Sequence, residues 1–116
     1  DFSTEFRMSV FTELLRDKAA SVRIGAIEKI GMCDFKAMLP DLHALRSRER
    51  SDKVIQSLSC WIPLLEDGYQ VLPSQVAGQF LVTALTGRGT SSRIVKASGP
   101  DDPRIRVVVE ELRKFP

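Results

Sequence analysis

The side chains in this sequence that could carry out catalysis are few, and their spacing argues against it. His43 is the only histidine, and it lies at the edge of a predicted apolar helix stripe. Cys33 and Cys60 lack the Cys-x-x-Cys spacing of metal and redox sites. Glu110 and Glu111 are neighbours on a predicted helix, so their side chains point about 100° apart and do not form a carboxylate pair. We therefore expect no enzymatic activity, no catalytic residue, no metal site and no cofactor.

The glycine-rich stretch TGRGTSS at 86–92 has residue types found in phosphate loops, but not in the required order. A P-loop ends in Gly-Lys followed by Ser or Thr, and this stretch does not. Two interpretations remain open. The stretch is either a flexible turn or an anion-binding turn, in which backbone amides act together with Arg88 and Arg93.

Basic side chains are the most prominent polar feature, and they occur in groups. Two of these groups, at 46–53 and 88–96, contain the residues that we take as candidates for partner binding, namely Arg46, Arg48, Arg50, Arg88 and Arg93. Such groups are either solvated surface charges or parts of a stripe that follows a nucleic-acid phosphate backbone. Interleaved acidic residues and the presence of one tyrosine count against nucleic acid, because they weaken the positive field and leave few rings for base stacking.

The composition predicts one globular domain spanning 1–116, since 43% of the residues are hydrophobic and 28% are charged. Residues 1–7 precede Met8 and are either native or an expression remnant. No apolar run approaches the roughly 20 residues of a membrane-spanning helix, so no membrane association is expected. Two cysteines without a motif predict a reducing, cytoplasmic setting.

Hydrophobic spacing predicts helices along most of the chain and gives few strand signals. The predicted helices cover 10–17, 19–31, 35–46, 53–66, 75–87 and 101–115. The stretch 67–73 is predicted as a loop, and 88–100 as a Gly/Ser-rich segment with a short helix at most. Pro40 is predicted to bend its helix, and Pro63 to kink or end the next one. The predicted fold class is all-α.

Two segments share a common frame, DKAASVRIGAIEKIG at 17–31 and DDPRIRVVVEELRKF at 101–115. Each starts with Asp and a short turn, and each continues with a β-branched residue followed by arginine. The segment 51–65 fits the same frame without the arginine, and LPDLHAL at 39–45 matches the first helix of such a unit. On these residues, 10–65 and 101–115 resemble the HEAT-repeat family.

The resemblance implies an α-α superhelix of about three antiparallel helix pairs, with a concave face open to partners. It implies a non-enzymatic protein–protein interaction or scaffold module whose partner is another protein. The alternative is a nucleic-acid-binding helical domain that uses the Arg-rich loops. Arg23, which lies inside the apolar stripe of its own helix, is then expected to be a structural tie to an acidic residue, with Asp17, Asp34 and Asp41 as the candidates.

Overall fold

The structure, a computed structural model, describes residues 3–114. They form two compact units that divide between Glu66 and Asp67. The first unit is helical, and the second combines a three-stranded sheet with one helix.

The helices of the first unit follow one another through short connections. They are α1 (Thr4–Leu14), α2 (Ala20–Met32), α3 (Leu39–Arg48) and α4 (Asp52–Asp67), with a 3₁₀ turn at Lys36–Met38 directly before α3. Most of the buried side chains of this unit form one apolar cluster, which consists of Leu15, Ala26, Ile27, Ile30, Met38, Leu42, Leu45, Val54, Leu58, Ile62 and Leu65. Burial of this aliphatic surface is the main stabilising contribution in the unit.

Local residues explain where these helices begin and continue. The hydroxyl of Ser3 accepts a hydrogen bond from the Phe6 N–H at 3.2 Å and caps α1. Pro40 lies in the first turn of α3, where a missing N–H leaves no helix bond unmade, so the predicted bend is replaced by a helix start. Pro63 lies inside α4, which nevertheless continues to Asp67. Of residues 1–7, Asp1 and Phe2 lie outside the described residues, and the others cap or begin α1.

The second unit is an antiparallel sheet followed by a helix. The strands are β1 (Tyr69–Pro73), β2 (Gln79–Thr86) and β3 (Gly89–Lys96), in that spatial order, and the helix is α5 (Pro103–Lys114). Residues 87 and 88 connect β2 to β3 in a tight hairpin, in which Thr86 pairs with Gly89. One face of the sheet packs on α5 through a cluster of Val82, Ala84, Val95, Ala97, Ile105, Val109 and Leu112.

The predicted all-α class is wrong, because the chain between 69 and 96 forms strands. The helix predicted at 75–87 is a loop followed by β2, the segment 88–100 contains β3, and the loop predicted at 67–73 contains β1. The predicted α-α superhelix, which is an armadillo-like α-solenoid of HEAT-type helix pairs, is wrong for the same reason. In β2, Val82 and Ala84 are fully buried on one face while Leu81, which precedes them on the other face, is partly buried, so apolar residues on both faces conceal the alternation. A short apolar run of this kind does not separate a buried helix from a strand by periodicity.

The helix predicted at 101–115 is confirmed as α5 within the described residues. Its environment differs from that of a helical repeat, since its buried face packs on β2 and β3. Within residues 3–114, none of the helices has both the length and the apolarity needed to cross a bilayer.

Candidate functional site

Arg23 forms a partly buried ion pair with Glu49, a carboxylate that the sequence analysis did not name. Its Nε and Nη2 donate to the two carboxylate oxygens of Glu49, each at 2.9 Å. Its Nη1 donates to the backbone carbonyls of Asp17 at 2.8 Å and Lys18 at 3.1 Å. Asp17 therefore contacts Arg23 through its backbone carbonyl and not through its carboxylate. The carboxylates of Asp34 and Asp41, the other two predicted partners, do not bind Arg23. With four donor contacts made inside the unit, this guanidinium has a structural role.

Glu49 is held in its ionised form by the groups around it. Burial by itself would raise the pKa of this carboxyl, because its side chain is only 5% exposed. Hydrogen bonds from Arg23 and from the backbone N–H groups of Ser51 and Arg50, together with the charge of Arg23, outweigh burial and lower the pKa. The pair connects the start of α2 to the end of α3 and belongs to the core architecture.

The first three candidate arginines lie at the end of α3 and just after it. Arg46 and Arg48 occupy the last turn of α3, where cations interact favourably with the helix C-terminus, and Arg50 lies in the connection to α4. All three are exposed. Arg48 also lines a shallow groove of about 260 Å³, whose other charged residues include Arg16, Asp17, Arg23 and Glu49. Because these charges are mixed in sign, the groove does not select strongly for an anion.

The other two candidates lie in the second unit. Arg88 is exposed in the β2–β3 connection, and its backbone N–H donates to Thr86 Oγ1 at 3.1 Å. Arg93 lies on the sheet face toward α5, and its Nη1 is 2.6 Å from Glu111 Oε2. The stretch 86–92 is thus a hairpin connection. The anion-binding interpretation loses its second cation, since Arg93 is already paired.

The remaining chemistry-bearing residues lie apart on the surface of the first unit. His43 Nε2 is 3.2 Å from Glu66 Oε2, and both side chains are about half exposed. Cys33 is an exposed free thiol at the end of α2, and Cys60 is a partly buried one in α4. Across residues 3–114, no three His, Cys, Asp or Glu side chains are grouped so that they could hold a metal ion.

The outer edge of β3 has unpaired backbone groups. Ala97 N–H donates to Gly78 carbonyl at 3.0 Å, which marks these two residues as a hydrogen-bonded pair at the end of the β2–β3 ladder. Such pairs alternate along an antiparallel ladder. The backbone N–H and C=O groups of the intervening residues therefore point away from β2, and these residues are Thr90, Ser92, Ile94 and Lys96. No strand within residues 3–114 lies on that side of β3.

The opposite edge, formed by β1, is less suited to pairing. It has five residues, compared with eight in β3. Leu85 N–H donates to Gly68 carbonyl at 2.9 Å, so by the same alternation Tyr69, Val71 and Pro73 face outward. Proline has no N–H to donate, which leaves two outward donors on β1 and four on β3. The two edges of the sheet are thus not equivalent.

The sheet is also uniformly positive in its charged side chains. No Asp or Glu occurs from Gly68 to Pro100, and the charged residues of this stretch are Arg88, Arg93 and Lys96. Arg88 and Lys96 form no ion pair with any residue from 3 to 114. The edge of β3 therefore presents free hydrogen-bonding groups together with unneutralised positive charge.

An apolar row crosses the sheet on the face away from α5. The register places Leu72 of β1 opposite Leu81 of β2, and Leu81 opposite Ile94 of β3. Leu72 is 41% exposed and Ile94 is 52% exposed. The row ends at the free edge of β3, so the side chain of a residue opposite Ile94 would extend it.

Arg88 and Arg93 are candidates from the sequence analysis, but Thr90, Ser92 and Ile94 were missed as edge positions. The available signals were the two-residue Gly-Arg connection between two β-branched stretches and the absence of acidic residues from Gly68 to Pro100. The register itself could not be read, because it depends on pairing with β2.

Asp102 fixes the start of α5, which supports this sheet. Its carboxylate accepts hydrogen bonds from the Arg104 guanidinium, from the Ser98 N–H at 2.8 Å and from the Arg104 N–H at 2.9 Å. These hydrogen bonds, that of the Arg104 side chain first, hold the pKa of Asp102 far below its usual range.

We expect Asp102→Asn to lower the melting temperature at neutral pH, with a difference that shrinks as the pH falls below about 4. The folded-state pKa is lowered, so the ionised carboxylate stabilises the fold above its unfolded-state pKa and this contribution is lost on acidification. Thermal melts followed by circular dichroism from pH 7 to pH 2 measure this effect. Asp101→Asn is the matched control, since Asp101 is exposed and makes no side-chain bond within residues 3–114. Equal effects of the two variants would contradict the role of Asp102.

Comparisons with protein-family models, curated proteins and solved structures found no match for this chain.

Proposed function

We propose that this protein is a non-enzymatic interaction module that binds another protein, and that an extended segment of the partner pairs with the outer edge of β3. The observation that supports the proposal is the free edge itself, with four outward-facing residues, no proline and no neutralising acid. A peptide strand added to a sheet edge gains affinity from main-chain hydrogen bonds and specificity from alternate side chains. We include a reducing, cytoplasmic setting in the proposal, because Cys33 and Cys60 are both free thiols.

The size of the edge is compatible with this role. Each backbone hydrogen bond contributes about 0.5–1.5 kcal/mol net. Association itself costs at least about 4 kcal/mol, so the alternate side-chain contacts must supply part of the affinity. The edge needs no concave solenoid face, so this function does not depend on the repeat architecture that the fold rules out. A catalytic role has no comparable support in the side chains described above.

The test uses peptides selected from a random-peptide display library on the folded wild-type protein. We expect Ser92→Pro to weaken binding of the selected peptides about tenfold or more, since the ring removes an outward N–H and blocks the approaching strand. Ser92→Ala is the matched control. Both variants lose the 2.8 Å hydroxyl contact with Thr83, but only proline loses the backbone donor.

Affinity is measured by fluorescence anisotropy, and the fold of each variant by circular dichroism. Hydrogen exchange on the wild-type complex should show new protection at the amides of Ser92, Ile94 and Lys96. Peptides that bind wild type and Ser92→Pro equally, or a failure to select any peptide, would overturn the proposal.

The nucleic-acid alternative predicts a different result. A module that binds a phosphate backbone through its Arg-rich loops should bind a random duplex or single strand at low salt and lose affinity steeply at moderate salt. We expect no such binding. Salt-sensitive binding to DNA that Ser92→Pro does not change would favour the alternative.

A further inference from the structure

We infer that the segment bound at β3 is acidic and runs antiparallel to it, with the pattern acidic, any residue, apolar, any residue, Ser or Thr. The inference rests on the proposed function and adds the chemistry of the partner. It follows from the register of the sheet and from the distribution of charge along its edge.

The side chains of the outward-facing residues of β3 define one face of the complex. Side chains alternate between the two faces of a strand, and Ser92, Ile94 and Lys96 all lie on the face away from α5. Residues of an added strand directly opposite them project on the same face, with Cβ atoms within about 5.5 Å. Side chains at three alternate positions of the partner therefore contact these three side chains, which select among partner residues.

Each of the three positions has a preferred partner chemistry. Opposite Ile94, an aliphatic side chain extends the row that Leu72 and Leu81 form across the sheet, and it covers a residue that is 52% exposed. Opposite Ser92, a hydroxyl residue continues the Thr83–Ser92 hydrogen bond of 2.8 Å. Opposite Lys96, a carboxylate gives an opposite-charge cross-strand pair.

The charge distribution disfavours the other obvious occupant, a second copy of β3. Two β3 strands would bring Lys96 of both copies to one interface, and β3 contains no acidic side chain that compensates them. Charged edge strands are a common means of preventing pairing between identical sheets. The same positive edge attracts an acidic segment, because β3 contains no carboxylate that would repel it.

We take the added strand as antiparallel, because the whole sheet is antiparallel and because parallel pairing is slightly less stable per residue. With this direction, the acidic residue precedes the apolar one in the partner sequence. Lys96 has no ion-pair partner within residues 3–114, so its charge is available at this end of the edge. Arg93 projects on the other face and is paired with Glu111, and it adds little to the selection.

The experiment uses synthetic nine-residue peptides with threonine at all positions except the third and fifth. The acidic probe has glutamate at the third position and valine at the fifth, and the basic probe has lysine in place of glutamate. A third peptide has the acidic sequence in reverse order. Affinities for the wild-type protein and for Lys96→Glu are measured by fluorescence anisotropy at low and moderate salt.

We expect wild type to bind the acidic probe about five- to tenfold more tightly than the basic one, a preference that decreases with salt. Lys96→Glu should reverse the preference, and the reversed peptide should bind wild type more weakly. Lys96→Gln, which removes the charge without introducing a new one, should abolish the preference.

The outcomes separate this inference from the proposed function. One outcome is that the library-selected peptides bind Ser92→Pro weakly but contain no acidic residue, and that the acidic and basic probes bind wild type equally. This outcome would overturn the acidic pattern and leave strand addition intact. Tighter or equal binding of the reversed peptide would overturn the antiparallel direction. Acidic-probe binding that survives Ser92→Pro would place the site elsewhere and overturn both. Binding of DNA in place of both probes would favour the nucleic-acid alternative.

Discussion

Arg23→Ala is expected to destabilise the first unit by about 1.5–3 kcal/mol, the usual contribution of hydrogen bonds to charged groups. Glu49 is 5% exposed and would keep its charge without the two 2.9 Å hydrogen bonds from the guanidinium. The carbonyls of Asp17 and Lys18 would lose their donor as well. Urea unfolding followed by the fluorescence of Trp61 measures the loss, since this is the only tryptophan and it lies in α4.

Three further variants test whether the pair is responsible. Arg48→Ala is the matched control, because Arg48 is exposed and is expected to change the free energy of unfolding by less than about 0.5 kcal/mol. Replacement of both partners by Arg23→Met and Glu49→Leu should cost less than Arg23→Ala alone, since no buried charge remains. A double variant that costs the sum of the single substitutions would show that Arg23 and Glu49 do not act as a pair.

The same pair gives a pH dependence with a defined sign. The pKa of Glu49 is lowered in the folded protein, so the pair stabilises the fold above the unfolded-state value of about 4.3. This contribution is lost as the pH falls through the lower folded-state pKa. The difference in unfolding free energy between wild type and Arg23→Ala should therefore shrink as the pH falls below about 4.

Gly31→Ala is expected to destabilise the first unit by about 1–3 kcal/mol, although alanine is the better helix former. A Cβ atom at this position would overlap the six-membered ring of Trp61, and a large rigid ring in a packed unit has little room to move. The glycine lets α2 and the Trp61 side chain of α4 approach closely. Chemical unfolding followed by circular dichroism measures the effect.

The same helix contains its own control for this prediction. At Gly25 the added Cβ would have no atom within 4 Å, so Gly25→Ala should stabilise the unit by about 0.5–1 kcal/mol through helix propensity alone. In a Trp61→Leu background, Gly31→Ala should lose most of its cost, because the ring that it meets is gone. If both glycines responded alike, the contact with Trp61 would not be the cause.

The sequence predicted the helices of this chain better than their arrangement. Capping residues and 3.6-residue periodicity are local properties, and α2, α3, α4 and α5 all fall within or near their predicted ranges. The HEAT resemblance was built on those same helices. It could not exclude a sheet between them, because a run such as QFLVTALT is apolar on both faces.

The candidate site was still harder to predict. Arg46, Arg48, Arg50 and Arg88 could be recognised as exposed cations from composition and loop position. The unpaired side of β3 could not be recognised from the sequence. Which side of a strand is unpaired depends on its neighbouring strand, and tertiary packing determines that neighbour.

By itself, the sequence determined that Arg23 is too polar for its apolar stripe and must be tied, and that the stretch from Gly68 to Pro100 carries positive charge without acid. Both conclusions depend only on residue types and on the cost of burying a charge. Tertiary structure decided that Glu49 is the partner of Arg23, at 26 positions away, and that Lys96 lies beside Ile94 on a free sheet edge. The Arg23–Glu49 pair joins residues that are distant along the chain, and the edge position of Lys96 and Ile94 follows from strand register. Local periodicity in the sequence encodes neither the pair nor the register.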